Sequence, residues 1–203
     1  MANYRDGKLW GLLTEWYENG QKKGEINYEF GRKVGLLTMW DKNGQKTVEA
    51  NYRFGDRYGL TTEWYANGKK KSEKKYEFGL EDGLWIFWYK NGQKKSEKNY
   101  TSLGVKGGLW TEWHENGQKS LEQNYKHGIK RGPSTFWDKN GQKQTEGNFK
   151  DRKKESLTTG WDKNGQKQTE GNYKDGKQNP WGVKDQNETE GNNKDGKQGG
   201  LIT

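Results

Sequence analysis

Cysteine is missing from all 203 residues, which removes disulfides, thiolate metal sites and thiol nucleophiles from consideration. Proline occurs only twice, so the backbone rarely gives up a donor and a continuous sheet is permitted. No apolar run approaches the ~20 residues of a membrane-spanning helix, so no transmembrane segment is expected. The first residues, Met1 to Lys8, hold no hydrophobic stretch of the kind a signal peptide needs, and the expected compartment is the cytoplasm. The two histidines, His114 and His127, stand in no Ser or Asp constellation, and each reads as an ordinary surface residue. Aliphatic residues are scarce too. Hydrophobic residues make up 27% of the chain and the mean hydropathy is −1.48, which in most chains signals disorder.

Against that deficit stand 11 Trp, 11 Tyr and 6 Phe, and they are regularly placed. Asn-Gly pairs at Asn19, Asn43, Asn67, Asn91, Asn116, Asn140 and Asn164 recur in steps of 24, with one step of 25. Three residues before each lies a tryptophan: Trp16, Trp40, Trp64, Trp88, Trp113, Trp137 and Trp161. Nine after each comes Tyr28, Tyr52, Tyr76, Tyr100, Tyr125, Phe149 or Tyr173. A fixed period of this length marks a repeat architecture, in which each unit shelters its neighbour.

β-Prone runs flank each Asn-Gly, so every unit reads as a hairpin with a two-residue type I′ turn. The expected fold is all-β: an elongated, twisted, single-layer array of antiparallel hairpins over residues 1–176. Residues 177–203 read as a degenerate terminal repeat or polar tail, and Tyr4 as the remnant of a unit lacking its first strand. The 25-residue step falls at Thr101 to Gly107, where a loop absorbs the extra residue. Pairing through a two-residue turn sets Trp16 against Lys23, Thr14 against Glu25 and Leu12 against Asn27. Side chains alternate, so Leu12, Thr14, Trp16, Lys23, Glu25 and Asn27 share one face, and Leu13, Glu15, Tyr17, Lys22, Ile26 and Tyr28 the other. The recurring rings serve as the structural core, and rings outside those rows, Trp10, Trp85, Phe87 and Trp110, are the ones expected to be exposed.

With Trp16 to Lys23, Glu25, Asn27-Tyr28 and the Gly-Leu that opens the next unit, the chain resembles the MORN-type repeats, in particular their bacterial variant. The likeness spans roughly residues 3 to 176. The resemblance implies an elongated antiparallel sheet acting as an interaction surface. Some arrays of this variant are called antitoxins or immunity proteins, which implies a toxin as partner.

No catalytic, cofactor-binding or metal-ligating set stands out. Glu25, Glu49, Glu73, Glu97, Glu122, Glu146 and Glu170 recur in like environments, whereas hydrolysis needs two carboxylates in unlike ones. They read as partners of nearby Lys, Thr or backbone donors. Asp41, Asp138 and Asp162 begin turns rather than calcium loops, since the remaining ligand positions are missing. The net charge is +9, and lysines follow every turn. Lys22, Lys23, Lys46, Lys70, Lys94 and Lys119 would line one edge, a track for an anionic polymer such as nucleic acid, lipid headgroups or acidic glycan. Carboxylates across the same turns dilute that field. The leading expectation is a non-enzymatic scaffold that binds another protein, with end-to-end self-association as a further form of contact.

Overall fold

The computed structural model describes residues 3–178. All its regular elements are β-strands. Seven hairpins follow one another: Gly11–Trp16 with Lys22–Glu29, Arg32–Trp40 with Lys46–Arg53, Asp56–Trp64 with Lys70–Glu77, Leu80–Trp88 with Lys94–Tyr100, Gly108–Trp113 with Lys119–Lys126, Ile129–Trp137 with Lys143–Lys150, and Lys153–Trp161 with Lys167–Lys174. Together with Lys177–Gln178 they form one open antiparallel sheet of 15 strands, arranged in strict sequence order. A short pair, Tyr4–Arg5 with Lys8–Leu9, precedes it and supplies the half unit expected around Tyr4. Residues 179–203, most of the expected terminal repeat or tail, lie outside the described residues.

The turns are the reverse of what the Asn-Gly pairs suggest. In the first of these turns, Glu18 to Gly20, only Gly20 has a positive φ, 81°. The Gly20 N–H donates to the Tyr17 carbonyl at 3.0 Å, and the Tyr17 N–H to that of Gln21 at 2.8 Å. This is a three-residue loop built on a type I turn and closed by a left-handed glycine. Asn19 stays right-handed and its side chain braces the turn: Oδ1 accepts the Gln21 N–H at 3.1 Å, and the amide donates to the Lys42 carbonyl at 2.8 Å.

The type I′ turns lie at the other edge, between units. Phe30-Gly31 has φ of 49° and 78°, Phe54-Gly55 53° and 97°, and Phe78-Gly79 49° and 78°. Each glycine there donates its N–H to the preceding unit, as Gly55 does to the Lys33 carbonyl at 2.9 Å. The longer connection at Thr101 to Gly107 takes a three-residue form, with Thr101 N–H on the Val105 carbonyl at 2.8 Å.

A three-residue loop shifts the register by one, and a bulge restores it. Trp16 pairs with Lys22, not Lys23, and after the irregularity Thr14 pairs with Glu25 and Leu12 with Asn27, as expected. Lys22 and Lys23 therefore exchange faces relative to the two-residue-turn reading: Lys22 meets Glu25 at 2.5 Å, and Lys23 meets Glu15 on the opposite side at 3.6 Å. A second slip, between Glu25 and Asn27, recurs between successive hairpins. Two irregularities per unit bend the strands and add twist.

Burial lies mostly on the tyrosine face. Ile26, Ala50, Tyr76, Trp85 and Trp110 are the buried apolar residues. Trp85 and Trp110, expected to be exposed, are 8% and 6% accessible, whereas the ladder tryptophan Trp16 is 56% accessible. Trp16 lies in the edge strand, and the other recurring tryptophans, Trp40, Trp64, Trp88, Trp113, Trp137 and Trp161, are half-buried. The deepest rings are those whose neighbours enclose them.

Candidate functional site

Three rows of side chains cross the Trp–Glu face. The middle row alternates threonine and glutamate, since Thr14 pairs with Glu25, Glu25 with Thr38, and Thr38 with Glu49, with Ile86 in the threonine place of the fourth unit. Thr38, Thr62, Thr111, Thr135 and Thr159 of that row are buried. Along one margin runs a row of tryptophans and lysines. Lys22 lies 5.9 Å from the Trp16 ring and 5.8 Å from that of Trp40, and Lys46, Lys70, Lys94 and Lys119 repeat the contact on Trp64, Trp88, Trp113 and Trp137.

Each of these lysines also holds a glutamate. Lys46 meets Glu49, Lys94 meets Glu97 and Lys119 meets Glu122, all at 2.5 Å, and Lys70 pairs with Glu73. The lysine row is thus compensated charge by charge, and its stems cover indole rings. Lys23 lies on the other face and does not join it.

The opposite margin of this face carries Leu12, Leu36, Leu60, Leu84, Leu109 and Leu157, each 40 to 48% accessible. Asparagines alternate with them, as Leu12 pairs with Asn27 and Leu36 with Asn51, except in the third unit, where Leu60 pairs with Lys75. The Asn99 amide donates to the Leu109 carbonyl at 2.9 Å, which keeps the strip regular. Pro133 takes the leucine position in the sixth unit, opposite Asn148. Beyond this margin the turns hold Phe30, Phe54 and Phe78, which are 66 to 72% accessible. Sequence reasoning missed this strip, although the Gly-Leu opening each unit was its signal.

On the tyrosine face the rings stack in line. Tyr76, Trp85, Tyr100, Trp110 and Tyr125 follow one another with centroids 5.1, 5.0, 5.4 and 4.7 Å apart. The indole N–H of Trp85 donates to the Lys75 carbonyl and that of Trp110 to the Asn99 carbonyl, both at 2.9 Å. Cations lie over the tyrosine rings: Lys33 over Tyr52 at 5.2 Å, Arg57 over Tyr76 at 5.1 Å and Lys154 over Tyr173 at 4.9 Å. Burial works against the Arg57 charge, but hydrogen bonds to the phenols of Tyr52 and Tyr76 outweigh it and raise its pKa. Burial likewise pushes Glu63 up, and Lys74 at 2.8 Å and Lys71 at 3.3 Å bring it below the usual carboxylate range.

Units are joined by further bonds that the sequence reading did not assign. The Tyr65 phenol donates to the Trp88 carbonyl and the Tyr89 phenol to that of Trp113, both at 2.8 Å. His114, read as an ordinary surface residue, takes the same place, its Nε2 3.0 Å from the Trp137 carbonyl. Alignment of His114 with Tyr17, Tyr65 and Tyr89 was the available signal. Where Asp41 stands instead, its Oδ1 accepts the N–H groups of Asn43 and Gln45 at 2.9 Å and closes its own turn.

Among the described residues no helix is long and apolar enough to cross a membrane. No curated protein matches the chain. A family model described as the MORN repeat variant matches residues 9–29, 57–77, 81–101, 106–127, 130–151 and 154–175. The hairpin Arg32–Arg53, between the first two segments, has the same architecture as the matched ones. The six segments cover more than half of the chain, which belongs to the MORN repeat variant family.

Proposed function

We propose that this protein is a non-catalytic scaffold that presents the Trp–Glu face of its sheet to another protein. Repeats of this family are interaction modules in general, and the observation that carries the finer reading is the leucine–asparagine strip. It offers exposed apolar area at a fixed spacing of two strands, ~10 Å, beside amides able to hydrogen-bond a polypeptide. Apolar surface that recurs in this way marks a contact face more than scattered leucines would. The sharpest form of the proposal, an antitoxin or immunity role with a toxin as partner, comes from the resemblance to the bacterial variant of these repeats.

The alternative, an anionic polymer held along Lys22, Lys46, Lys70, Lys94 and Lys119, has less behind it, because each lysine is bound to a glutamate. End-to-end association draws on Gly11–Trp16, which lies at one edge of the sheet. Sedimentation over a range of concentrations tests that form.

Affinity capture separates the two main readings. The full chain should retain one protein partner in moderate salt, and the triple variant L36E/L60E/L84E should lose it while keeping its sheet by circular dichroism. Capture that collapses with salt and ignores the leucine changes would favour the polymer instead.

A further inference from the structure

Among the described residues five buried side-chain atoms find no hydrogen-bond partner: Thr61 Oγ1, Ser72 Oγ, Gln123 Oε1, Ser134 Oγ and Thr158 Oγ1. By strand alternation all five lie on the tyrosine face. A buried hydroxyl without a partner costs about 1–3 kcal/mol, so a cluster on one face calls for an explanation. In the sixth and seventh hairpins the orphans meet open space. A cavity of about 340 Å³ is lined by Ser134, Phe136, Gly147, Phe149, Lys154 and Thr158. A second, about 300 Å³, shares Lys154 and Thr158 and adds Thr169, Gly171 and Tyr173. Ser134 is only 4% accessible.

Repeat symmetry explains the space. Ser134 and Thr158 occupy the position that Trp85 and Trp110 hold in the fourth and fifth units, where each indole is sandwiched between tyrosine rings. Across the hairpin, Lys98 and Gln123 face those indoles, whereas Gly147 and Gly171 face Ser134 and Thr158. Two long side chains are therefore replaced by two short ones in each unit, while the ring walls, Phe149 and Tyr173, remain. A methyl group added at Gly147 would lie 3.0 Å from Thr158 Oγ1, so a larger residue there requires Thr158 to shift.

Charge changes in the same place. Glu15, Glu63 and Glu112 on this face meet Lys23, Lys74 and Lys98 at 3.6, 2.8 and 3.1 Å. Their counterparts in the last two units are Phe136 and Gly160. Lys130, 5.5 Å from the Phe149 ring, and Lys154 have no carboxylate partner among the described residues. Glu170 borders the second cavity but is held by Lys167 at 3.3 Å.

The geometry points to a saccharide-binding groove in the last two hairpins, taking an oligosaccharide whose rings carry carboxylate groups. A pyranose ring has an apolar C–H face that lies against an aromatic ring, as the indoles do in the middle units. Its hydroxyls donate to and accept from Ser134 Oγ and Thr158 Oγ1, which satisfies both orphans. Its carboxylate meets Lys154, a charge-assisted contact stronger than a neutral one. Successive units repeat every ~10 Å, so neighbouring slots read alternate rings of one chain. This groove lies on the opposite face from the leucine strip, and the two assignments stand or fall separately.

The test is a titration of the isotope-labelled full chain followed by amide resonances. Three probes are used: a hexasaccharide alternating uronate and N-acetyl sugar, a neutral chitin hexamer, and a six-nucleotide single-stranded DNA. The acidic sugar should shift the Gly147 and Gly171 amides and bind about tenfold more tightly than the neutral one. K154M should remove that advantage. S134W/T158W, which installs the indoles of the middle units, should abolish binding, and L36E/L60E/L84E should leave it unchanged. If the double tryptophan variant does not fold, K154M still carries the comparison. No shift at these glycines with either sugar, undiminished binding by a folded S134W/T158W, or preference for the DNA would overturn the assignment.

Discussion

The phenol of Tyr17 donates to the carbonyl oxygen of Trp40, 2.9 Å away and one unit further along the chain. Beside it the Asn19 amide donates to the Lys42 carbonyl at 2.8 Å. A tyrosine and an asparagine thus clamp each turn of this type to the next. Tyr89 and Asn91 make the same pair of contacts to Trp113 and Glu115, at 2.8 and 3.0 Å.

Tyr89→Phe removes the donor and keeps the ring. The expected loss is about 1 kcal/mol, the net worth of one such bond, read as a lower midpoint in urea with an unchanged slope. A midpoint equal to the parent's would show that the phenol adds nothing to the joint.

Trp110→Ala opens a cavity in the stacked spine and should cost about 3–5 kcal/mol. Trp16→Ala, at a ring 56% accessible, should cost less than about 1 kcal/mol. Equal losses at the two sites, by thermal or chemical unfolding, would mean that exposure does not set what a ring contributes here.

Phe78 sits at φ 49°, in a turn position that suits asparagine, and its ring is 72% accessible. Phe78→Asn relieves left-handed strain in a large side chain and should stabilise the chain by about 1 kcal/mol. Partner capture should weaken in the same variant if the exposed ring belongs to the contact. A fall in melting temperature would show that the ring packs against its own chain.

Burial raises the phenol pKa values of Tyr89, Tyr100 and Tyr125, helped by Glu115 and Glu112, by Glu81, and by Glu112 respectively. The folded state then holds protons that the unfolded state has already released. Their stabilisation is complete below the ordinary tyrosine value of about 10 and is lost as the pH rises from there through the raised folded values. Unfolding free energy measured from neutral to strongly alkaline pH should stay level up to that point and then decline. A decline that begins well below it would assign the alkaline sensitivity to other groups.

The hairpins, their order and the pairing of Thr14 with Glu25 were legible in the sequence because the period is strict. The pairing survived a wrong turn: the three-residue loop at Glu18 to Gly20 displaces the register by one, and the bulge at Lys23 returns it. Nothing in Asn-Gly alone separates the two turn types, since the three-residue form is held by side-chain acceptors that differ between units, Asn19 Oδ1 on the Gln21 N–H in one and Asp41 Oδ1 on the Asn43 and Gln45 N–H groups in the next. Phe30 hid the true type I′ turns, because a bulky residue at positive φ runs against local preference. Burial of Trp85 and Trp110 was hidden too. Neither ring recurs through the array, and only coordinates reveal that tyrosines on both sides enclose them. The lysine row was visible, but its neutralisation was not, because Lys22 joins the face of Glu25 only through the bulge.

Residue-resolved amide hydrogen exchange on the full chain tests the central claim, that every hairpin is fastened to the next in one continuous sheet. Slow exchange should extend through both strands of each unit from Gly11 to Lys174 and include the joint amides of Gly31, Gly55, Gly79, Gly128 and Gly176, which donate to carbonyls of the preceding unit at 2.8 to 3.0 Å. Protection confined to the interior of separate hairpins, with those joint amides exchanging as freely as in an unfolded peptide, would contradict it.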